Sequence, residues 1–207
     1  MDTTRFLIDF LQDCDSDTQR SERMGFMFDI ATHFWTIKNN ILQSFYEELA
    51  AELKNDFPDT EYVFRFSKNA NIRYSNICIW KPSWERKPLR TSEDTDGLVC
   101  YCIQADSPYL SDICYGIAFC SNKTQKEQFK KSRSITISGQ NQDDPWWLKY
   151  LRTDIYQSTK NKTFLMQYAT KEGKQQIFEY HKNNLVVLRD KLETALDEDV
   201  KNYAELS

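Results

Sequence analysis

Three side chains in this sequence, Asp59, Glu85 and Lys87, have the types and the order of a magnesium-dependent hydrolytic site. In such a site two carboxylates bind Mg²⁺ while a lysine orients or activates the attacking water. The surroundings argue against this chemistry, because Glu85 and Lys87 lie in a polar segment just before Pro88 and not at the end of an apolar strand. We therefore assign no catalytic residue and no metal ligand from this pattern.

Other signatures of enzymes are also missing from the sequence. The two histidines, His33 and His181, are isolated on predicted helices and are interpreted as structural residues. The sequence contains no dinucleotide fingerprint, no phosphate-binding P-loop and no nucleophile elbow. The sequence therefore favours a protein without enzymatic activity, and it predicts no cofactor.

The six cysteines are interpreted as buried free thiols that act as small hydrophobes. None belongs to a C-x-x-C pair, and Cys100 and Cys102 fall on one face of a predicted strand. No segment has the pattern of a secretory signal, and none approaches the roughly 18–20 apolar residues of a membrane span. We therefore expect a reducing, cytoplasmic location and no membrane partner.

Charge is distributed unevenly along the chain. Residues 1–60 hold five Lys/Arg and twelve Asp/Glu, whereas residues 61–91 hold seven Lys/Arg and two Asp/Glu. A basic stretch of this kind is found in nucleic-acid grooves, but the excess is small and an acidic segment follows it. A solvated surface of mixed charge is the interpretation that we favour.

The basic stretch contains two tryptophans four residues apart, Trp80 and Trp84, with cations around them. Exposed tryptophans can anchor a protein partner or stack on bases. The candidate partner-binding residues are therefore Arg73, Trp80, Trp84, Arg86 and Lys87. The alternative is that Trp80 ends a core strand and Trp84 folds back over the sheet edge. Trp146 and Trp147 present the same choice, and we expect one ring inward and the other partly exposed.

The spacing of apolar residues predicts where the helices and strands lie. Helices are predicted at 3–12, 27–55, 145–155 and 173–200, with a polar loop at 13–22 and a short basic helix at 124–132. Strands are predicted at 61–67, 76–81, 98–105, 113–120, 134–138 and 163–168. We expect a single α+β domain over 1–207, with helix 3–12 as an appendage and an antiparallel sheet of about five or six strands packed against two long helices.

The order of these motifs resembles a known group of proteins. The quoted features are an early helix with His33-Phe34-Trp35 through Ile41 to Phe45-Tyr46-Glu47-Glu48-Leu49, a strand segment ICIWKPSW, a strand with Tyr115-Gly116-Ile117, and a long terminal helix. Together they resemble, over roughly residues 30–200, the C-terminal region of bacterial and phage proteins of the PD-(D/E)XK nuclease superfamily, which are associated with defence and mobile elements. In those proteins the catalytic carboxylates and lysine precede this region. The resemblance therefore implies an accessory region without the catalytic core.

Two functions follow as hypotheses from these observations. The first is a non-enzymatic interaction protein of bacterial or phage origin that binds a protein partner through the basic, tryptophan-containing surface. The alternative is a nucleic-acid-binding or nuclease-like protein that uses the same surface. The long apolar helical stripes are also compatible with a homodimer.

Overall fold

The computed structural model of the chain describes residues 8–10, 12–67, 72–85, 97–108, 111–120, 127–129, 146–153 and 162–205. The chain divides into two compact units, residues 1–41 and 42–207. One helix, α1 (Asp17–Leu53), runs through this boundary. Because a continuous helix joins the units, the division does not fix the number of folding domains, and the single domain stays a prediction.

The first unit is built around the N-terminal part of α1. The helix begins ten residues before the predicted start, so the prediction of a polar loop is wrong from residue 17 onward. Ser16 caps the helix: its Oγ accepts from Gln19 N at 3.2 Å, and the Gln19 Oε1 accepts in return from Asp15 N at 2.8 Å. This reciprocal arrangement is a variant of the capping box, for which S-x-x-Q is the sequence signal.

A short helical stretch precedes α1 in the first unit. Residues 8–10 are helical, as predicted within 3–12, while residues 3–7 and 11 lie outside the described residues. Arg23 on α1 holds this stretch, because its Nη1 donates to the carbonyls of Phe10 and Asp13 at 2.6 and 2.7 Å. The Arg23 guanidinium also lies 4.7 Å from the centre of the Phe10 ring.

The second unit contains a five-stranded antiparallel meander in the order β1-β2-β3-β4-β5. The strands are β1 (Val63–Phe66), β2 (Asn76–Trp80), β3 (Val99–Ser107), β4 (Ser111–Phe119) and β5 (Trp147–Arg152). Two further helices follow, α2 (Lys162–Tyr168) and α3 (Lys171–Glu205). The predicted α+β class with an antiparallel sheet and a long C-terminal helix is confirmed.

One face of the sheet packs against helices within this unit. Tyr101 of β3 lies on that face, with its ring centre 5.7 Å from that of Phe57 and 5.5 Å from that of Trp84. Leu42, Leu49 and Leu53 of α1 and the α3 residues Ile177 and Leu185 are among the buried apolar residues of the core. Because side chains alternate along a strand, Cys100, Cys102, Gln104 and Asp106 point to the opposite face.

Two predicted elements have the wrong type. Within the predicted helix at 145–155, residues Trp147–Arg152 form the edge strand β5, which pairs with β4 through Tyr115↔Leu151 and Gly116↔Tyr150. Residues 145, 154 and 155 lie outside the described residues. Gly116 is required for this pairing, because a Cβ there would collide with the carbonyl of Lys149 and lie 2.7 Å from the Tyr150 Cα. Pairing partners distant in sequence therefore override the local helix signal given by Pro145.

The predicted strand at 163–168 is helix α2. Phe164 and Tyr168, one helical turn apart, both meet the Phe45 ring, with ring centres 5.2 and 5.5 Å away at nearly perpendicular angles. Residues 127–129, within the predicted basic helix 124–132, are helical. The predicted strand 134–138 lies outside the described residues.

Candidate functional site

A cleft of about 1130 Å³ opens at the end of the sheet where β2 begins and β5 ends. We call it the sheet-end cleft. Its described lining residues belong to three parts of the sequence: Ser67 with 72–76, 104–107 with Asp112, and 146–152. The sheet register brings them together, since Asn76 of β2 lies opposite Gln104 of β3, and Cys114 of β4 lies opposite Arg152 of β5.

Arg73 is the predicted partner-binding residue that lines this cleft. Its Nε donates to the carbonyl of Asp106 at 3.0 Å, and its guanidinium lies 4.6 Å from the centre of the Tyr74 ring. The two terminal nitrogens of Arg73 have no partner among the described residues. A planar cation held on an aromatic face in this way keeps its donor fork available for a carboxylate or phosphate.

Asp106 connects two arginines from separate parts of the chain. Its Oδ2 accepts from Arg152 Nη2 at 3.0 Å, and its Oδ1 accepts from Gln104 Nε2 at 3.0 Å. Both carboxylate oxygens are therefore engaged, while its carbonyl accepts from Arg73. Asp106 thus orients Arg73 and Arg152 toward the same cleft, although neither Asp106 nor Arg152 stands out in the sequence.

Aromatic rings form the second component of the cleft. Trp147 is buried and its ring centre lies 5.6 Å from that of Tyr150, while Trp146 is half-buried. The expectation of one inward and one partly exposed tryptophan is confirmed. Tyr74 is 51% exposed on the other side. Together with Arg73 and Arg152, these rings can contact both a flat apolar group and an anion.

Two non-glycine residues of the cleft have left-handed backbone conformations. Tyr74 has a φ of 64° and Asp112 a φ of 56°. Aspartate tolerates this region better than tyrosine does, and here the Asp112 Oδ2 also accepts from Ser107 Oγ at 2.6 Å. For Tyr74 the conformation is costly, on the order of 1–3 kcal/mol, and strain of this kind is concentrated at functional sites.

The other two tryptophans are in the core. Trp80 is 2% exposed and Trp84 is 1% exposed, so the expectation that both present an exposed surface is corrected. Trp80 Nε1 donates to Glu85 at 3.1 Å, and its ring lies against Gly97, where a Cβ would be 2.7 Å from the Trp80 Cγ. The alternative interpretation, with Trp80 ending a core strand and Trp84 folding back, describes the structure.

Trp84 and Lys81 dock their segment onto the acidic helix α3. Trp84 Nε1 donates to Asp197 Oδ1 at 2.7 Å, and Lys81 Nζ lies 2.7 Å from Asp197 Oδ2 and 2.9 Å from Glu193 Oε1. Burial lowers the pKa of Lys81, but its hydrogen bonds to Asp197 and Glu193 outweigh burial and raise it. The Tyr62 hydroxyl also donates to Glu193, and burial raises the pKa of Tyr62 well above its usual range. Lys81, which belongs to the basic stretch of the sequence, is therefore neutralised within the molecule by carboxylates of α3.

The remaining predicted residues are not gathered at one site. Arg86 and Lys87 lie outside the described residues. Asp59 forms an ion pair with Lys54 at 2.9 Å, whereas Glu85 accepts from Trp80, so the two carboxylates have separate structural partners. Within the part of the chain that the structure describes, no group of three or more His, Cys, Asp or Glu side chains is arranged to hold a metal ion.

The cysteines and histidines occupy structural positions. No disulfide joins any of the six cysteines. Four of them, Cys78, Cys100, Cys102 and Cys114, are buried as the thiol interpretation predicts, whereas Cys14 and Cys120 are half-buried. His181 is buried beside Phe45, with ring centres 6.2 Å apart, and burial lowers its pKa to about 4. His33 is exposed, and its Nδ1 lies 3.0 Å from the carbonyl of Asp29 one turn earlier.

No family model, curated protein or solved structure matches this chain. Of the helices that the structure describes, none has the length and apolar character that crossing a bilayer requires. The sheet-end cleft is therefore the site from which a function is argued, on its own geometry.

Proposed function

We propose that this protein is a non-enzymatic interaction protein that binds a protein partner in the sheet-end cleft. The ligand is an acidic segment of the partner that carries an aromatic side chain. The observation that supports this most is the pair of arginines, Arg73 and Arg152, oriented from separate segments by one aspartate. Arginine clusters of this kind are a recurring means of recognising acidic motifs.

Anion recognition is supported by the unused donors of both arginines. Within the described residues, Arg73 spends only its Nε on a hydrogen bond, and Arg152 spends only one terminal nitrogen. Of the carboxylates nearby, Asp106 already accepts from Gln104 and Arg152, one bond to each oxygen, and one oxygen of Asp112 accepts from Ser107. A ligand carboxylate would therefore find free donors held in position.

Recognition of a peptide is supported by the size and the composition of the cleft. A volume of about 1130 Å³ exceeds the roughly 300–1,000 Å³ of ordinary small-molecule pockets. Tyr74, Trp146 and Tyr150 supply aromatic surface for a side chain of the ligand. Single-stranded nucleic acid needs a groove whose positive charge follows the backbone, and the described lining has two arginines and two aspartates instead.

Selection from a random peptide library on the immobilised protein tests this proposal directly. We expect recovered sequences in which Asp or Glu flanks an aromatic residue. Arg73→Glu should weaken the binding of a selected peptide by about tenfold or more, because a hydrogen bond to a charged group contributes about 1.5–3 kcal/mol. Arg73 is exposed, so the melting temperature should change little.

Lys201→Glu is the matched control, since it reverses a charge at an exposed position of α3 that does not line the cleft. It should bind the selected peptide as the unaltered protein does. Equal binding by Arg73→Glu would contradict the proposal. So would a protein that selects no peptide but binds single-stranded oligonucleotides with an affinity that falls steeply with salt, which is the behaviour expected of the nucleic-acid alternative.

A further inference from the structure

Four cysteine thiols lie together on the face of the sheet opposite to Tyr101, and the proposed function does not use them. They belong to β2, β3 and the residue that follows β4, and we call them the thiol cluster: Cys78, Cys100, Cys102 and Cys120. Cys78 Sγ lies 3.5 Å from Cys102 Sγ, and Cys100 Sγ lies 3.4 Å from Cys120 Sγ. The Cys100 thiol also interacts with those of Cys102 and Cys78, so the two pairs form one group.

The members of the thiol cluster differ in how far solvent reaches them. Cys78, Cys100 and Cys102 are fully buried, whereas Cys120 is half-buried. Hydrogen bonds, first of all with Cys102, and burial raise the pKa of Cys100, and burial raises the pKa of Cys102. A raised pKa keeps these two groups in the thiol form, which is a poor nucleophile. A small reagent in solvent therefore reacts first with Cys120.

The strand register places Cys120 beside Cys100 on the same face. Cys100 lies opposite Ala118, and Cys120 follows two residues later, with its N–H donating to the Leu98 carbonyl at 2.9 Å. A disulfide has an S–S length of about 2.05 Å, so the two sulfurs would have to approach each other by about 1.4 Å. Cys120 lies one residue beyond the end of β4, so this movement requires no change in the pairing of other strand residues.

From this geometry we infer that Cys100 and Cys120 are a redox-active dithiol, which hydrogen peroxide converts to a disulfide within the chain. The Cys120 thiolate attacks one peroxide oxygen, the O–O bond breaks, and the sulfenic acid of Cys120 and one water are formed. The Cys100 sulfur then attacks the Cys120 sulfur, and the Cys100 proton leaves with the displaced hydroxide as a second water. Two thiols are oxidised and one peroxide is reduced to two waters.

Contact between the two sulfurs allows Cys100 to take part although it is buried. A group that is held against its reaction partner has a high effective concentration, which offsets a weak nucleophile. Cys100 needs no access to solvent for this step, because the peroxide has already reacted at Cys120.

The other pair of the thiol cluster serves as an internal comparison. Cys78 lies directly opposite Cys102 in the register, and their sulfurs are almost as close as those of Cys100 and Cys120. Both are fully buried, so peroxide reaches neither, and this pair should stay reduced. A metal ion is the less favoured occupant of the cluster, because no group of three or more His, Cys, Asp or Glu among the described residues is arranged to hold one.

Peptide mapping of the full chain after exposure to hydrogen peroxide tests this inference. The remaining thiols are alkylated in denaturant before digestion. Trypsin alone leaves Cys100 and Cys120 in one peptide, 91–123, so chymotrypsin is added to cut after Tyr101 and Phe119. We expect a linked pair of peptides that contain Cys100 and Cys120, with Cys78 and Cys102 alkylated, and separation of the pair by dithiothreitol.

Two variants examine the order of the steps. In Cys100→Ala the sulfenic acid of Cys120 has no neighbouring thiol to displace its hydroxyl, so it should persist and be captured by dimedone, with several-fold more adduct than in the unaltered protein. Cys14→Ser is the matched control, because it removes the other half-buried cysteine, which belongs to the first unit. It should form the cross-link in the same yield as the unaltered protein.

Three results from the unaltered protein would overturn the proposal, and none of them depends on how a variant folds. The first is that Cys120 is still fully alkylated after peroxide treatment. The second is that peroxide links Cys78 to Cys102 instead. The third is that Cys120 forms a disulfide only between two copies of the chain.

Discussion

Helix α1 contains two regions with the same apolar period and opposite surroundings. In residues 42–53, Leu42, Phe45, Leu49 and Leu53 are at most 2% exposed. In residues 17–41, which we call the arm, Ile30, Phe34 and Ile37 are 40–48% exposed at the same kind of spacing. The sequence of one helix therefore supplies both a buried apolar face and an exposed one.

The difference shows what hydrophobic periodicity can and cannot predict. The period states that a helix has an apolar face, but it does not state what covers that face. For residues 42–53 the cover lies within the chain, with Phe164, Tyr168 and Phe178 around Phe45 at ring-centre distances of 5.2–5.7 Å. For the arm, Ile30, Phe34 and Ile37 remain 40–48% exposed although their spacing is of the same kind.

Truncating one phenylalanine in each region tests most directly whether the two regions of α1 differ in packing. Phe45→Ala should lower the free energy of unfolding by about 3–5 kcal/mol, because it leaves a cavity among three aromatic rings. Phe34→Ala should change it by no more than about 0.5 kcal/mol in dilute solution, since its side chain is already 48% exposed. Urea unfolding followed by circular dichroism measures both values. Equal losses would mean that the arm is as well packed as residues 42–53.

Acid should lower the free energy of unfolding through His181, which is buried beside Phe45. Burial lowers its pKa from 6.5 to about 4, so between these values the unfolded chain binds the proton and the folded chain does not. Stability should therefore fall as the pH drops from about 6.5 to about 4, by up to about 3 kcal/mol, and the contribution of His181 should be level below that range.

Comparing unfolding free energies of the unaltered protein and His181→Leu at several pH values isolates this contribution. Other groups also titrate in this range, so the informative quantity is the difference between the two curves. We expect the difference to change with pH across the window and to be constant above it. A constant difference throughout would show that His181 is solvated in the folded protein.

The smallest expected effect concerns the N-terminal cap of α1, at the start of the arm. Ser16→Ala removes the oxygen that accepts from Gln19 N and should destabilise the first turns of α1 by about 1 kcal/mol. Because none of residues 17–22 is buried, this loss should appear as faster amide exchange at these residues and leave global unfolding nearly unchanged. Thr18→Ala, in the same turn without a capping bond, is the control. Equal exchange in both variants would show that Ser16 does not anchor the helix.

Local patterns predicted the elements whose partners are nearby in sequence. Strands β1 to β4 and helix α3 match their predicted positions closely because alternating and helical apolar patterns are strong there. The cap at Ser16 also had a sequence signal, S-x-x-Q, that would have moved the start of α1 to its observed position. Strand β5 had no comparable signal, since its conformation depends on pairing with β4.

The sheet-end cleft was largely hidden in the sequence for a related reason. Arg73 was singled out by the basic stretch around it, and Trp146 and Trp147 by their type, but nothing linked these residues to one another. Asp106 and Arg152 are ordinary charged residues until the register of the meander places them together. Trp80 and Trp84 were predicted to bind a partner and are instead buried in the core. Residue type alone does not distinguish a tryptophan that binds a partner from one that packs in the core.

The close approach at Gly116 has a consequence for how this protein can vary. No side chain fits between β4 and the Lys149 carbonyl, and β5 carries Trp147, Tyr150 and Arg152 into the cleft. A replacement at 116, which does not line the cleft, would therefore alter it by displacing the β5 backbone at Lys149 and Tyr150. In a saturation library selected for peptide capture, position 116 should accept glycine alone, while lining residues such as Tyr74 still tolerate conservative exchange.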